Sequence, residues 1–184
     1  SSFHSVVLCA LALLPAFLLA QERYASRTGT ISFFSSTPFE DITAENRKVV
    51  SVLDLSTGAI EFSALIKAFE FPKALMQEHF NEDYMESDPF PTAIFKGKLS
   101  GTAGEDLSKA GRHAVTAEGD LTMHGVTRHI SQSGLLDVGK DGKPHASSDF
   151  QVRPEDYGIT VPGVVRDKIA ERIDVKVQID YAVF

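Results

Sequence analysis

Alternation of apolar and polar residues dominates this chain, and it is clearest near the end. Ile173, Val175, Val177, Ile179, Tyr181 and Val183 alternate with Asp174, Lys176, Gln178, Asp180 and Ala182. That is the period-two pattern of a strand with one buried face. Val115, Ala117, Gly119, Leu121 and Met123 repeat it, with Thr116, Glu118, Asp120, Thr122 and His124 on the other side. Gly125-Val126 then suits a tight turn with glycine first. Pairing across that turn sets Arg128 opposite Met123, Ile130 opposite Leu121, His124 opposite Thr127 and His129 opposite Thr122. Ile130, Gln132, Gly134 and Leu136 then share the inner face, while His124 and His129 point outward.

Asp141-Gly142 marks the next turn, and residues 145–152 form another strand with Phe150 and Val152 on one face. Earlier strands are expected at 29–35, 49–55 and 59–71, the last two joined through Ser56-Thr57-Gly58. The strand 59–71 is long enough that it must bend or bulge. Residues 39–46 read as a short helical turn, 101–111 as a polar loop and 154–161 as a bent connection. No charge block, internal repeat or linker divides the chain.

Residues 71–99 break the alternation. Pro72 stands at a plausible helix start, and Leu75, Met76, Phe80, Tyr84 and Met85 follow at roughly helical spacing. Asn81 is placed to cap a second turn beginning at Glu82. The chain returns through Pro89 and Pro91 to a strand at 92–99. A polar and aromatic excursion between strands is a common place for a ligand mouth or lid.

The sum is seven or eight antiparallel strands with one short helical insertion, an all-β barrel or sandwich. A barrel of about eight strands is wide enough to hold one small ligand. Its inward Phe, Ile, Val and Met residues fit two readings equally: a solid core, or the wall of an apolar cavity.

Residues 6–20 are uncharged and apolar, the length of a signal-peptide core and short for a membrane span. We expect a cleaved leader over residues 1–20 and one mature domain over 21–184. A buried N-terminal helix or a tail anchor is the alternative. The single cysteine, Cys9, lies in this segment, so the mature domain would carry neither a disulfide nor a thiol nucleophile. Export without disulfides is compatible with a periplasmic or secreted protein of the cell envelope.

The chain has 184 residues and a net charge of −7, enough length for one ordinary core. With no lysine or arginine run, nucleic acid is not an expected partner. The acidic balance also disfavours electrostatic docking on anionic membranes, and no stable membrane insertion is expected once the leader is removed.

Candidate chemistry is sparse. The sequence has no Gly-x-Ser-x-Gly elbow, no phosphate-binding glycine loop and no His-Glu-x-x-His pair, so no catalytic or metal-ligating residue is nominated. Glu78, Glu82, Asp83, Glu86 and Asp88 read as a solvated helix face. Arg153 with Asp156-Tyr157-Gly158 reads as a braced connection, Gly158 supplying a backbone angle other residues avoid. Arg128, inward near a barrel end, could meet a ligand headgroup or pair with Glu61 or Glu118.

Three segments together resemble a known family. They are LMQEHFNEDYMES (75–87), FPTAIFKG (90–97) and GDLTMHGVTR (119–128). Their order and spacing are similar to the YceI-like family of polyisoprenoid-binding or lipid-binding periplasmic proteins, in the form found in Bacteroidetes-type bacteria. The resemblance implies a lipocalin-like extended antiparallel β-barrel around a hydrophobic pore, no cofactor, no catalytic residue, and a bound long-chain isoprenoid, quinone or fatty acid. The implied pocket would draw on Phe33, Leu53, Phe62, Phe80, Met85 and Phe95. Leu121, Met123, Phe150, Ile173, Val175 and Val177 would continue the wall, with Arg128 at the mouth. A homodimer is compatible with this reading.

The leading expectation is therefore an exported, non-enzymatic carrier for an isoprenoid quinone, a polyprenyl chain or a fatty acid. The alternatives are an enzyme acting on a lipid-like substrate, built from Arg128 with His113 or Tyr157, and an envelope stress or interaction module with a filled core.

Overall fold

The structure, a computed structural model, describes residues 23–184. The expected leader and Cys9 lie outside the described residues. The strands are β1 (Arg23–Ser36), β2 (Asp41–Asp54), β3 (Ala59–Leu65), β4 (Thr92–Ser100), β5 (Gly111–Met123), β6 (Val126–Val138), β7 (Pro144–Val152) and β8 (Ile173–Asp180). Each pairs antiparallel with the next, and β8 returns to β1. The result is a closed eight-stranded lipocalin-like barrel. A short β9 (Ala182–Val183) adds to the start of β1.

Several local readings differ from the sequence expectation. Residues 41–46 are strand, not a helical turn, because Ile42, Ala44 and Asn46 alternate against β1 with Ala44 opposite Phe33. Strand pairing overrides the weak helical preference of that stretch. The long strand breaks at Ile66, where a 3-10 turn (Ile66–Ala68) follows β3 and a lone bridge joins Glu70 to Glu45.

The β5–β6 turn is His124-Gly125, with φ of 53° and 72°, the geometry of a type I′ hairpin. Met123 therefore pairs with Val126, and Arg128 faces Leu121 rather than Met123. The register moves by two residues, so every side chain keeps its expected face. Arg128, Ile130, Gln132 and Leu136 remain on the inner side.

One end of the barrel is filled. Val49, Leu53, Leu136 and Ile179 are fully buried there, packed with Tyr24, Leu99, Leu107, Val115 and Tyr181. Gly97 faces Gly119 across β4 and β5, and a Cβ on Gly119 would strike the Lys96 carbonyl oxygen and the Gly97 Cα. The pair lets the two backbones close tightly around this core. His113 lies in the same end, 7% exposed. Its Nδ1 faces Glu105 Oε1 at 2.6 Å and its Nε2 faces the Lys109 carbonyl at 2.7 Å.

The excursion between β3 and β4 carries one short helix, α1 (Ala74–His79), continued by a wider π-turn (Phe80–Tyr84). Phe80 packs against Phe33, Phe69 and Phe71, with centroids 5.5, 5.7 and 5.0 Å away. Met85 joins Ile66, Tyr157 and Ile159 in a second core. Leu75 is 62% exposed rather than turned to the barrel. The π-turn adds a residue to the helical repeat, so positions before it do not share a face with those after it. Asn81 does not cap a new turn; its Nδ2 donates to the Gln77 carbonyl, because the helical path runs through it without a fresh start.

Of the acidic residues, Glu78 and Glu82 are solvated, Asp83 and Asp88 make exposed ion pairs with His79 and Lys67, and Glu86 reaches a side chain of another segment. Its carboxylate lies 2.6 Å from His124 Nε2, while Nδ1 faces the Tyr157 carbonyl at 3.0 Å. The ring also sits against Phe90 at 4.7 Å. The side chain expected on an exposed turn is thus one-tenth exposed, because three segments converge on it. Glu86 and His124 are the two non-glycine residues with positive φ among the described residues. Their mutual contact holds both in a disfavoured backbone region.

Substitution of His124 with alanine is expected to loosen the excursion without melting the barrel. Amide hydrogen exchange in residues 80–90 should accelerate by roughly tenfold or more, with the filled end of β5–β8 unchanged. Unaltered exchange in 80–90 would show that the contact contributes nothing.

The second expectation concerns pH. The Glu105 hydrogen bond, then the Lys109 carbonyl, hold His113 above the ordinary imidazole range, against the opposing effect of burial. The His113 bond, then the Thr102 N–H, hold Glu105 below the ordinary carboxylate range. The raised histidine stabilises the fold fully below about pH 6.5 and loses that contribution as pH rises through its folded value. The depressed carboxylate contributes above about pH 4.3 and loses it on acidification. The stability gap between wild type and His113→Gln in urea unfolding should therefore be largest near about pH 5.5 and narrow toward about pH 8.5. A gap independent of pH would refute the linkage.

Candidate functional site: a side opening into a half-filled barrel

Toward the excursion end the interior changes character. Ile31, Phe62, Leu121, Ile130 and Val177 point inward and pack on the main core, yet they are only partly buried. Phe33, Phe150, Val152 and Val175 share that state. Apolar side chains on the inner face of a closed barrel are shielded by neighbours unless space remains beside them.

Part of that wall, at Leu121, Ile130, Phe150 and Val152, reaches solvent through a gap in the sheet. β6 pairs with β7 only where Leu135, Leu136, Asp137 and Val138 meet Ser147, Ala146, His145 and Pro144. Beyond this, Val126–Gly134 of β6 continues paired to β5 alone, and β7 continues to Val152 paired to β8 alone. The two strands diverge into a slit. Its apex is tied by Ser148 Oγ, which donates to the Ser133 carbonyl at 2.7 Å. Its wide end is bridged by the 3-10 turn Pro154–Tyr157, where Arg128 Nε donates to the Asp156 carbonyl at 2.8 Å. Gly158 closes that turn at φ 68°, the left-handed angle expected of it.

The slit holds a pocket of about 430 Å³. Leu121, Ile130, Phe150, Val152 and Tyr157 form its apolar floor. Arg128, His129, Gln132, Gln151, Arg153, Asp156 and Arg172 form its rim. A second depression of about 480 Å³ is larger but is formed mostly by outward residues of β1, β7 and β8, including Ser32, Phe34, Asp149, Asp174 and Lys176. That depression also touches the inner wall, at Phe33, Phe150 and Val175. We place the candidate site in the slit, where the apolar floor of Leu121, Ile130, Phe150, Val152 and Tyr157 meets a rim of arginines.

The nominated residues separate into groups. Phe33, Phe62, Leu121, Phe150, Ile173, Val175 and Val177 lie on the inner wall with part of their surface accessible. Leu53 and Phe95 are buried in the filled end, at 0% and 8% exposure. Phe80 belongs to the phenylalanine cluster at the rim, and Met85 and Met123 to the second core. Arg128 stands at the slit, and neither Glu61 nor Glu118 takes its charge. Glu61 pairs with Lys96 at 3.1 Å and Glu118 with His129 at 3.2 Å.

Sequence reasoning leaves Ile130, Val152, Arg153 and Arg172 out of the pocket and names Tyr157 only for the catalytic alternative. Ile130 and Val152 were legible from alternation, as both sit on inner faces. The arginines carry no such signal, because the divergence of β6 from β7 that exposes them is not written in either strand's pattern.

His113 lies opposite Leu136, eight positions along β5 from Leu121. That is roughly 26 Å at strand rise, too far to act with Arg128. Tyr157 does share the slit, but burial raises its phenol above the ordinary range, with Asp156 adding to and Arg128 opposing the effect. It stays a neutral phenol near neutral pH. Among the described residues, no group of three or more His, Cys, Asp and Glu is arranged to hold a metal.

Solved structures share this architecture. A polyisoprenoid binding domain from Saccharophagus degradans, implicated in plant cell wall breakdown, superposes with a TM-score of 0.75 at 11% identity, covering 89% of this chain and 99% of its own. BcnA of Burkholderia cenocepacia gives 0.66 at 12% identity, covering 84% and 96%. The YCEI protein of Campylobacter jejuni gives 0.51 at 17% identity, covering 86% and 85%. At such identities the likeness shows the fold alone. No curated protein matches this chain at a significant level. The sequence itself matches the YceI-like domain over residues 23–181, and the chain belongs to that family.

Proposed function

We propose that this protein is an exported, non-enzymatic carrier that holds a long apolar chain along the unfilled half of its barrel. The observation that carries the reading is the inward apolar set Leu121, Ile130, Phe150 and Val152, left partly accessible at the β6–β7 slit. Burial of each methylene contributes about 0.8 kcal/mol, so a long chain binds such a wall without many polar contacts. The slit pocket of about 430 Å³ falls within the range of roughly 300–1,000 Å³ usual for small-molecule sites. A structural neighbour is itself described as a polyisoprenoid binding domain, which supports the ligand class.

An isoprenoid quinone, a polyprenyl chain and a fatty acid are the candidate occupants. The apolar segment 6–20 supports export, and with it a periplasmic or extracellular carrier. A binding role is favoured over catalysis because His113 is remote from the slit and Tyr157 is held neutral. A filled-core interaction module is disfavoured by the accessible inner wall.

Protein purified from its own envelope should release a lipid on organic extraction, read by native mass spectrometry. Ile130→Trp, which projects bulk from the inner face into the slit, should weaken binding of a fluorescent polyene by roughly tenfold. Its melting temperature should change little, since Ile130 is only partly buried. Absence of lipid together with absence of polyene binding would end the carrier reading.

A further inference from the structure

The slit reverses the sign of the chain that surrounds it. The protein carries a net charge of −7, yet the rim of this opening brings together Arg128, Arg153 and Arg172 against one carboxylate, Asp156. Glu155, just outside, does not restore balance, because Arg153 and Arg166 share it at 3.6 and 3.1 Å.

Two of the guanidiniums are open to a ligand. Arg128 uses Nε on the Asp156 carbonyl, which fixes the side chain while its terminal nitrogens bond no described residue. Arg172 makes no hydrogen bond or ion pair with a described residue. They approach from opposite sides of the slit. Arg128 is on β6, and Arg172 directly precedes β8, whose Ile173 pairs with Val152 of β7. Between them the floor turns apolar at Leu121, Ile130 and Val152. A planar guanidinium presents paired N–H donors matched to phosphate or carboxylate oxygens.

We propose that this slit is a headgroup site for amphiphiles ending in an anionic phosphate or carboxylate, selected over neutral isoprenoids of the same chain length. The proposal rests on the carrier reading and narrows it. The tail lies against the apolar inner wall and the anionic end sits between Arg128 and Arg172. Both arginines are solvated, so the selectivity weakens as salt is raised.

Farnesyl monophosphate and farnesol, each displacing the neutral fluorescent polyene retinol at low ionic strength, test it. Wild type should release retinol to the phosphate at a concentration roughly tenfold or more below that needed for farnesol, the scale of two charge-assisted contacts. Arg128→Gln/Arg172→Gln should bring the two ligands within about twofold of each other. Arg172→Gln alone, which keeps the Asp156 contact, should show an intermediate preference and covers the case in which the double variant folds poorly. Calorimetry with inorganic phosphate should show no binding at concentrations that saturate with farnesyl monophosphate.

Equal displacement in wild type, or a preference that survives in the variants, overturns the headgroup assignment while leaving the carrier reading intact. Inorganic phosphate binding as tightly as the prenyl phosphate also overturns it, in favour of a simple anion site. Failure of retinol and both farnesyl ligands to bind removes the carrier reading and the headgroup site with it.

Discussion

Closing eight strands fixes the width of the interior, and that interior must be occupied by side chains or by something else. The rest of this structure follows from how unevenly the chain meets that requirement. At one end Leu53, Leu136, Val49 and Ile179 are fully buried, and Gly97 and Gly119 let the wall close on them. At the other end the same inward alternation continues, but Ile31, Phe62, Leu121 and Ile130 do not reach one another well enough to become buried. An apolar side chain left accessible in this way makes fewer dispersion contacts than a buried one, so an apolar ligand laid against it gains them on binding.

The excursion acts on this unfilled end. Its second core, built on Met85 and Ile66, reaches across to Tyr157, Ile159, Met123 and Val126, so it roofs the ends of β4, β5 and β6. His124 ties the roof to the β5–β6 hairpin and to the turn that bridges the slit. With part of the axial end covered in this way, the sideways gap between β6 and β7 opens the wall to solvent at Leu121, Ile130, Phe150 and Val152. The gap leaves two strand edges without barrel partners, which invites pairing with other chains. Arginines at its rim and the 3-10 turn across its wide end both oppose that.

Much of this was legible in the sequence, for reasons visible residue by residue. Period-two alternation identified the inner faces of β5, β6 and β8 because one side of each strand is solvated. The hairpin register was misjudged by two residues, since His124 adopts a left-handed angle usually left to glycine or asparagine. A slip of two preserves the face, so Arg128 and Ile130 were still correctly turned inward. Helical spacing placed Phe80 and Met85 on the docked side of the excursion but misplaced Leu75, because nothing in the local sequence announces a π-turn. Residues 41–46 misled for the opposite reason: their strand state is imposed by β1 across the hairpin. Leu53 and Phe95 share the alternation of Phe62 and Leu121, and only three-dimensional packing separates filled core from accessible wall.

The slit itself is a property of strand divergence, and divergence has no one-strand signature. Arg128, Arg153 and Arg172 are far apart in sequence and ordinary in context, each consistent with a solvated surface. Their meaning comes from being brought to one opening whose floor is apolar. On an acidic protein the background field repels anions at long range, and salt screens that repulsion beyond roughly 8–10 Å. At the rim the nearest charges decide, and those are guanidiniums. A site of this construction rejects an anion that has no apolar tail to anchor it, while a neutral tail binds the wall without the added hold of the guanidiniums, so discrimination between tails of equal length falls to the headgroup.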